Sequence, residues 1–282
     1  TLFRSIKGEI IDHEFRSCKC HGKKFKKYKW FHFGWNRSYA LEKCVGKSDY
    51  ILVMDADDLI IGDLGIKDKL LTADLYNFRL DHGTIFYRPQ LFKNDAKFGW
   101  KYVGGIHEYL HAPKHKYTPV NLEGNYTFQA RTMGARSHDP NKYKNDAEFL
   151  EYLLKEEPRN DRYVFYCAQS KFDSGDYNAA IKYYSMRAKM GGFPEEVYNS
   201  YYKIGLCKKR LQKPIDEIVQ AFMKCYNYRP TRMEPLYEII YLYRCADMFK
   251  EAFSYAEQAL KIKYPSRSEE HTSELQSRIT IS

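Results

Sequence analysis

"YCAQSKFDSGDYNAAIKYYSMRAK", Tyr166 to Lys189, places apolar and aromatic residues at three- and four-residue spacing, and within it "GDYNAAIKYY" has the small-residue and aromatic spacing of a helix-turn-helix repeat. Two later stretches follow the same plan, "YKIGLCKKRLQKPIDEIVQAFMKC" from Tyr202 and "YEIIYLYRCADMFKEAFSYAEQAL" from Tyr237. Alignment superposes Ala168, Gly205 and Ile240, with Pro194, Pro230 and Pro265 following the helix pairs.

The offsets, 37 and 35 residues, lie close to the ~34 of tetratricopeptide repeats. The spacing therefore predicts an all-α, tetratricopeptide-like solenoid over 141–266. Repeats of this kind bury their Tyr, Phe, Leu and Cys stripe against neighbours, so those residues are assigned no chemistry. Because units contact mainly their neighbours, the helical part is expected to fold without the rest.

Upstream, residues 1–140 alternate short apolar runs with turn signals, as an α/β or α+β domain does. "GEIIDHEF" reads as a strand, and "NRSYALEKCVG" as a helix stopped at Gly46. "LYNFRLDHGTIFYRPQLFKN" reads as a hairpin turning at His82-Gly83, and "KYVGGIHEYL" as a further extended stretch. Between them, "DYILVMDADDLI" drives a short apolar run into Asp55, Asp57 and Asp58. Such a run predicts a strand buried on both faces in the middle of a parallel sheet, with its acidic end at the crevice where ligands bind. Carboxylates this close repel one another unless neutralised, and Mg²⁺ or Mn²⁺ suits oxygen ligands and phosphates. Capping of a following helix by Asp57 or Asp58 is the open alternative.

Composition sets the wider limits. The 282 residues are 44% hydrophobic with a formal net charge of +10, enough for real cores in one large domain or two ordinary ones. No apolar run approaches the ~18 residues of a membrane span. Seven cysteines without framework spacing read as buried free thiols in a reducing compartment, which predicts a cytoplasmic protein. "CKCH" is half of a zinc pattern with no second half, and "KKFKKYKW" is read as a solvated face, not a nucleic-acid surface. The sequons "NRS" and "NYT" are too short to weigh. The chain opens at Thr1 in apparently structured sequence, so the true N-terminus is expected to be missing and a signal peptide stays open. From Arg267, "RSEEHTSELQS" reads as translated sequencing-adapter sequence, and 267–282 are set aside as an artefact.

The ordered set "FHFGWNRSYALEKCVGKSDYILVMDADD", "GGIHEYL" and "GARSHDPNKY", with repeats behind it, resembles the family 2 glycosyltransferases that carry a C-terminal repeat array. The resemblance implies a GT-A-like front domain, N-terminally truncated here because the acidic residue that opens the family's first strands has no counterpart. It implies transfer of a sugar, with inversion and with a divalent cation, from a nucleotide diphosphate donor to a glycan, protein or lipid acceptor. Asp55 and Asp57 match the family's Asp-x-Asp motif, as donor and metal contacts. Glu108 is the expected base, with His107 as a metal or phosphate contact, although neighbours on an extended segment point to opposite faces. Asn36 and Arg37 match an element expected to meet the donor, with helix capping and a surface ion pair as the alternatives. Arg136, His138 and Asp139 are expected at phosphate or acceptor, or simply in loop structure. The rival function is a non-catalytic repeat module that binds a protein partner beside a degenerate transferase domain. A nucleotide-sugar hydrolase or phosphotransferase is weaker, since no phosphate loop or second metal cluster is present in the sequence.

Overall fold

The computed structural model describes residues 32–66, 70–81, 85–131 and 133–263. The expected first strand, the "CKCH" stretch, the basic run, the His82-Gly83 turn and the tail from Arg267 lie outside the described residues.

The front half begins with helix α1 (Phe33–Cys44), followed by strands β1 (Tyr50–Leu52), β2 (Leu59–Asp63), β3 (Leu75–Asp81) and β4 (Ile85–Lys93). Four short strands complete it: β5 (Lys101–Val103), β6 (Tyr109–His111), β7 (Pro119–Asn121) and β8 (Asn125–Gln129). One sheet has the order β1-β4-β3-β8-β2, with β7 also on β3, and β5-β6 forms a separate hairpin. β3 and β4 pair antiparallel, as the hairpin reading predicts. Their register slips between Tyr76, which pairs with Leu91, and Asn77, which pairs with Pro89, leaving Gln90 as the extra residue. Such a bulge accommodates a proline that cannot donate to the ladder. Inside this sheet Phe78, Leu80 and Phe128 are fully buried.

The stretch at 50–54 departs from its reading. Only Tyr50–Leu52 form a strand, at the end of the described sheet order and antiparallel to β4. Ile51 is buried while Leu52 is 40% exposed. Tyr50 packs on the cluster of Tyr76 and Phe78 and Ile51 lies in that of Leu75 and Phe92, so both faces meet apolar side chains as the run predicts. What departs from the reading is the short length, the antiparallel pairing and the exposure of Leu52. Nor does a helix follow Asp57 and Asp58. The next element is β2, so the capping alternative has nothing to cap.

The second half is entirely helical: α2 (Lys142–Glu156), α3 (Asp161–Asp173), α4 (Tyr177–Met190), α5 (Pro194–Arg210), α6 (Ile215–Tyr228), α7 (Glu234–Cys245) and α8 (Phe249–Leu260). Each packs on the next, and α3-α4, α5-α6 and α7-α8 are the three helix pairs of a tetratricopeptide-like array. The first and second pairs contain the aligned Ala168 and Gly205, and the third contains Ile240. Tyr198 donates to Glu234 at 3.3 Å and Tyr202 to Glu238 at 3.2 Å, both across 36 residues, so the same contact between neighbouring repeats recurs one helical turn further along α5 and α7. Between α4 and α5, the fully buried Arg187 donates to Glu196 at 2.9 Å and to the Gly191 carbonyl at 2.6 Å. Cys167, Cys207 and Cys225 are buried free thiols, as expected, and burial pushes Cys167 and Cys207 up to about 12. Cys44 is half-buried and Cys245 exposed.

The helical part shares a core with the front half. Ile106 of the front half belongs to the same buried cluster as Phe149, Leu150 and Leu153 of α2 and Tyr163 of α3. Residues 141–266 alone would expose that patch to water.

Gly205 tests the repeat packing directly. A Cβ there would meet the ring of Phe222 at 2.5 Å, and Phe222 is fully buried. In an exposed helix Gly→Ala stabilises by roughly 0.5–1 kcal/mol. Overpacking costs about 1–3 kcal/mol. Gly205→Ala is therefore expected to lower the urea midpoint; a raised midpoint would show that α5 and α6 do not pack this closely.

Candidate functional site

Three segments distant in sequence meet at Arg37. Its Nη2 donates to Asp55 Oδ1 at 2.5 Å and its Nε to Glu108 Oε1 at 2.6 Å. α1 supplies the arginine, the turn after β1 supplies Asp55, and the loop between β5 and β6 supplies Glu108. The guanidinium also lies over the Tyr102 ring, 5.6 Å from its centroid. Burial works against the charge on Arg37, but the carboxylates of Glu108 and Asp55 outweigh it and raise its pKa, so the guanidinium stays charged. The Tyr102 phenol is pushed up to about 12 by burial and stays neutral.

Glycines set this geometry. The Phe33 amide donates to the Gly105 carbonyl at 2.7 Å, and a Cβ on Gly34 would sit 2.3 Å from the Gly104 carbonyl oxygen. Gly104 has φ +109°, outside the range of ordinary side chains. On its other side Gly105 faces Leu153 and Phe149, where a Cβ would come within 2.6 Å and 2.9 Å. Ser38 completes the dock. Its hydroxyl donates to the Gly34 carbonyl at 2.7 Å and accepts from the Tyr102 amide at 2.8 Å. Gly34, Ser38 and Tyr102 were not singled out in the sequence, where a glycine, a serine and a tyrosine carry no mark of chemistry. The "GG" before Ile106 was the available signal.

The acidic cluster resolves into separate roles. Asp58 closes a turn with Asp55: its amide donates to the Asp55 carbonyl at 3.0 Å, and its Oδ2 accepts from the Asp55 amide at 2.9 Å. Arg88 pairs with the same Asp58 oxygen at 3.1 Å. Burial raises the Asp58 pKa, against the lowering by that amide and by Arg88. Asp57 Oδ2 accepts from the Met133 amide at 2.9 Å, and its carbonyl accepts from Arg131 at 2.6 Å.

His107 is placed elsewhere. With φ +54°, it turns its ring onto Tyr166 of α3, stacked at 3.8 Å and 7°, while its carbonyl accepts from Arg162 Nε at 3.0 Å. Burial, then the positive charges of Arg162, Arg136 and Lys142, hold its pKa down to about 3. Glu108 and His107 thus face opposite ways, through the left-handed backbone at His107 and not the strand alternation expected for the stretch.

The remaining expected residues are spread out. Asn36 lies within α1, and the helix is capped instead by His32, whose Nδ1 accepts from the Trp35 amide at 3.0 Å. Arg136 pairs with Asp146 of α2 and lies over Phe33 at 4.9 Å. Asp139 accepts from the Asn141 amide at 2.9 Å and Asn145 Nδ2 at 3.0 Å, fastening the entry to α2, and His138 is exposed. Among the described residues no three His, Cys, Asp or Glu side chains gather in a way that could hold a metal ion. Asp55, Asp57 and His107, expected as the ligands, face a guanidinium, an amide and an aromatic ring. This arrangement does not fit a divalent cation.

A cleft of about 560 Å³ lies beside this junction, lined by Val103, Gly104 and Tyr109 from the front half and Arg159, Arg162 and Tyr163 from the helices. No helix among the described residues is long and apolar enough to cross a membrane.

No family model matches the chain, and no curated protein matches it in sequence. Solved structures described as "MamA AMB-1 C2221" and "MamA MSR-1 C2" are similar at 18% identity and a TM-score of 0.36. The similarity covers 43% of this chain and 68% and 67% of theirs.

The neutral His107 makes stability pH-dependent. Its folded pKa, about 3, lies below its ordinary value of 6.5, so the unfolded chain takes up the proton first. Stability contributed by this group is complete above pH ~6.5 and falls as the pH drops below it. Denaturant midpoints between pH 7.5 and 5 should decline for the parent and decline less steeply for His107→Asn, a residue that tolerates positive φ. Equal slopes would remove His107 as the cause.

Proposed function

We propose that the protein is a repeat scaffold whose helical array holds a protein partner. The observation that carries this reading is the exposed face of α7, where Tyr237 is 59% and Tyr241 48% exposed, one helical turn apart. α7 buries Leu236, Ile239 and Tyr243 in the core of the array, so these tyrosines, which lie away from it, are not needed by the core. Lys209 Nζ lies 4.7 Å from the Tyr241 ring centroid and donates to Glu238 at 2.7 Å, which holds ring, cation and carboxylate in one fixed patch. Rigid, amphipathic tyrosines beside a lysine are the side chains that supply anchors at protein interfaces. Selection of a displayed peptide library on the purified chain should enrich sequences that bind in solution. For those peptides Tyr237→Ala/Tyr241→Ala should weaken binding by ~2 kcal/mol or more. Peptides bound equally well by the double variant would place the binding face elsewhere.

The convergence of Arg37, Asp55 and Glu108 favours a second reading, in which the front half transfers a sugar from a nucleotide diphosphate donor. In it Glu108 is the carboxylate that takes the acceptor hydroxyl proton, and Arg37 orients it. Asp55 shares the guanidinium and is assigned to the donor. The metal expected for the family has no ligand set in the arrangement described, and no step is assigned to it. Release of nucleoside diphosphate from a panel of nucleotide sugars, with and without acceptor, tests the reading. Glu108→Gln should leave donor binding unchanged and lower turnover by ~10²–10⁴-fold. A parental rate in that variant, or no turnover in the parent, overturns it and leaves the scaffold reading standing.

A further inference from the structure

The cleft between the front half and the helices carries two arginines on its lining, and neither is paired with a carboxylate among the described residues. Arg162, in the first turn of α3, spends Nε and Nη2 on the His107 carbonyl, and its Nη1 is buried without an acceptor. Its guanidinium lies between two rings, 5.0 Å from the centroid of Tyr109 and 4.9 Å from that of Tyr166. A cation held only by a carbonyl and by ring faces keeps its charge available for a counterion. Arg159, just ahead of α3, is exposed and forms no ion pair among the described residues.

Two acidic residues also line the cleft, and both are engaged. Asp161 accepts from the Arg162 amide at 2.8 Å through Oδ1, and its Oδ2 lies 3.5 Å from Arg187 Nη2. Glu157 accepts from Asn160 Nδ2 at 2.8 Å. With Asp161 set against Arg187, one carboxylate is left beside two guanidiniums. The start of α3 adds the partial positive charge of a helix N-terminus to the same lining. Arginine is the side chain whose planar fork matches phosphate and carboxylate oxygens.

The rest of the lining is suited to the body of a ligand. Tyr109 is 42% exposed, and Val103 is its cross-strand partner in the β5-β6 hairpin, so ring and isopropyl group form one apolar wall. At about 560 Å³ the cleft lies within the ~300–1,000 Å³ of small-molecule sites, more than a bare ion fills. Arg37, Asp55 and Glu108 do not line it, so the cleft is separate from their bridge.

We propose that this cleft binds a small molecule that carries an oxyanion, phosphate or carboxylate, on a flat ring, with the charge at Arg159 and Arg162 and the ring against Tyr109 and Val103. Because both halves of the chain supply its walls, the bound molecule ties α3 to the β5-β6 hairpin and raises the melting temperature. Isothermal titration calorimetry of the full chain with phenyl phosphate and with benzoate tests it, inorganic phosphate serving as the ring-free control. At least one of the two aryl anions should bind with a Kd of ~10 µM to 1 mM, and at least tenfold more tightly than inorganic phosphate. The tighter of the two tells whether the group taken is a phosphate or a carboxylate. Arg159→Gln should weaken that aryl anion ~10-fold or more and leave the melting temperature of the ligand-free chain unchanged, since the side chain is exposed. Tyr109→Ala should lower its affinity to that of inorganic phosphate. Failure of both aryl anions to bind below ~10 mM overturns the proposal. So does an affinity that either variant leaves unchanged, which would place the anion elsewhere on this basic chain.

Discussion

The Gly104-Gly105 backbone is approached from two sides at once, and the rest of the arrangement depends on that approach. α1 reaches it through the Phe33 amide and the missing side chain of Gly34, and α2 reaches it through Phe149 and Leu153. Neither contact has room for a Cβ. A backbone gripped this way fixes where the next three residues go: Ile106 into the core shared with the helices, His107 onto Tyr166, and Glu108 back toward α1. The Arg37 bridge is a consequence. Arginine is one turn along α1 from the residue that docks, so holding the start of the helix places the guanidinium between Asp55 and Glu108.

That dependence explains the acidic cluster as well. Three nearby carboxylates require compensation, and protein groups provide it: Arg37 for Asp55, Arg88 and a backbone amide for Asp58, and the Met133 amide for Asp57. Arginine suits this role because its fork can serve two carboxylates in a fixed plane. Compensation by side chains from separate segments also ties β1, β4 and α1 together, so the cluster contributes to the tertiary structure through charge as the sheet does through Phe78 and Phe128.

Sequence legibility followed the range of the interactions involved. The helix pairs were readable because Ala168, Gly205 and Ile240 mark a pattern that each repeat states locally, and packing between neighbours preserves it. α1 and the β3-β4 hairpin were readable for the same reason. The reading failed for β1, where Tyr50 to Met54 carry enough apolar residues for a central strand, yet the strand stops at an exposed Leu52 and pairs antiparallel with β4. At the site, Arg37, Asp55 and Glu108 were legible as residues of interest but their mutual contact was not, since it spans 71 residues. His107 shows the sharper limit. Beside Glu108 it has the residue type of a ligand, and only the fold reveals that its ring is spent on Tyr166.

Stability should not be uniform along such a molecule. In a repeat array each unit is supported by its neighbours, so units at the ends have fewer supports. Here the first end is not free: α2 and α3 share a core with Ile106, and Arg162 holds the His107 carbonyl. Next along the array, the buried Arg187–Glu196 pair joins α4 to α5, and an ion pair buried this deeply is costly to open on one side only. Further out, the contacts between α5 and α7 are half-buried hydrogen bonds from Tyr198 and Tyr202 to carboxylates. Local opening should thus be hardest at α2 to α5 and easier at α7. The surface assigned to binding a protein partner, on α7, lies in the more easily opened part, where ordering by a partner has the most free energy to gain.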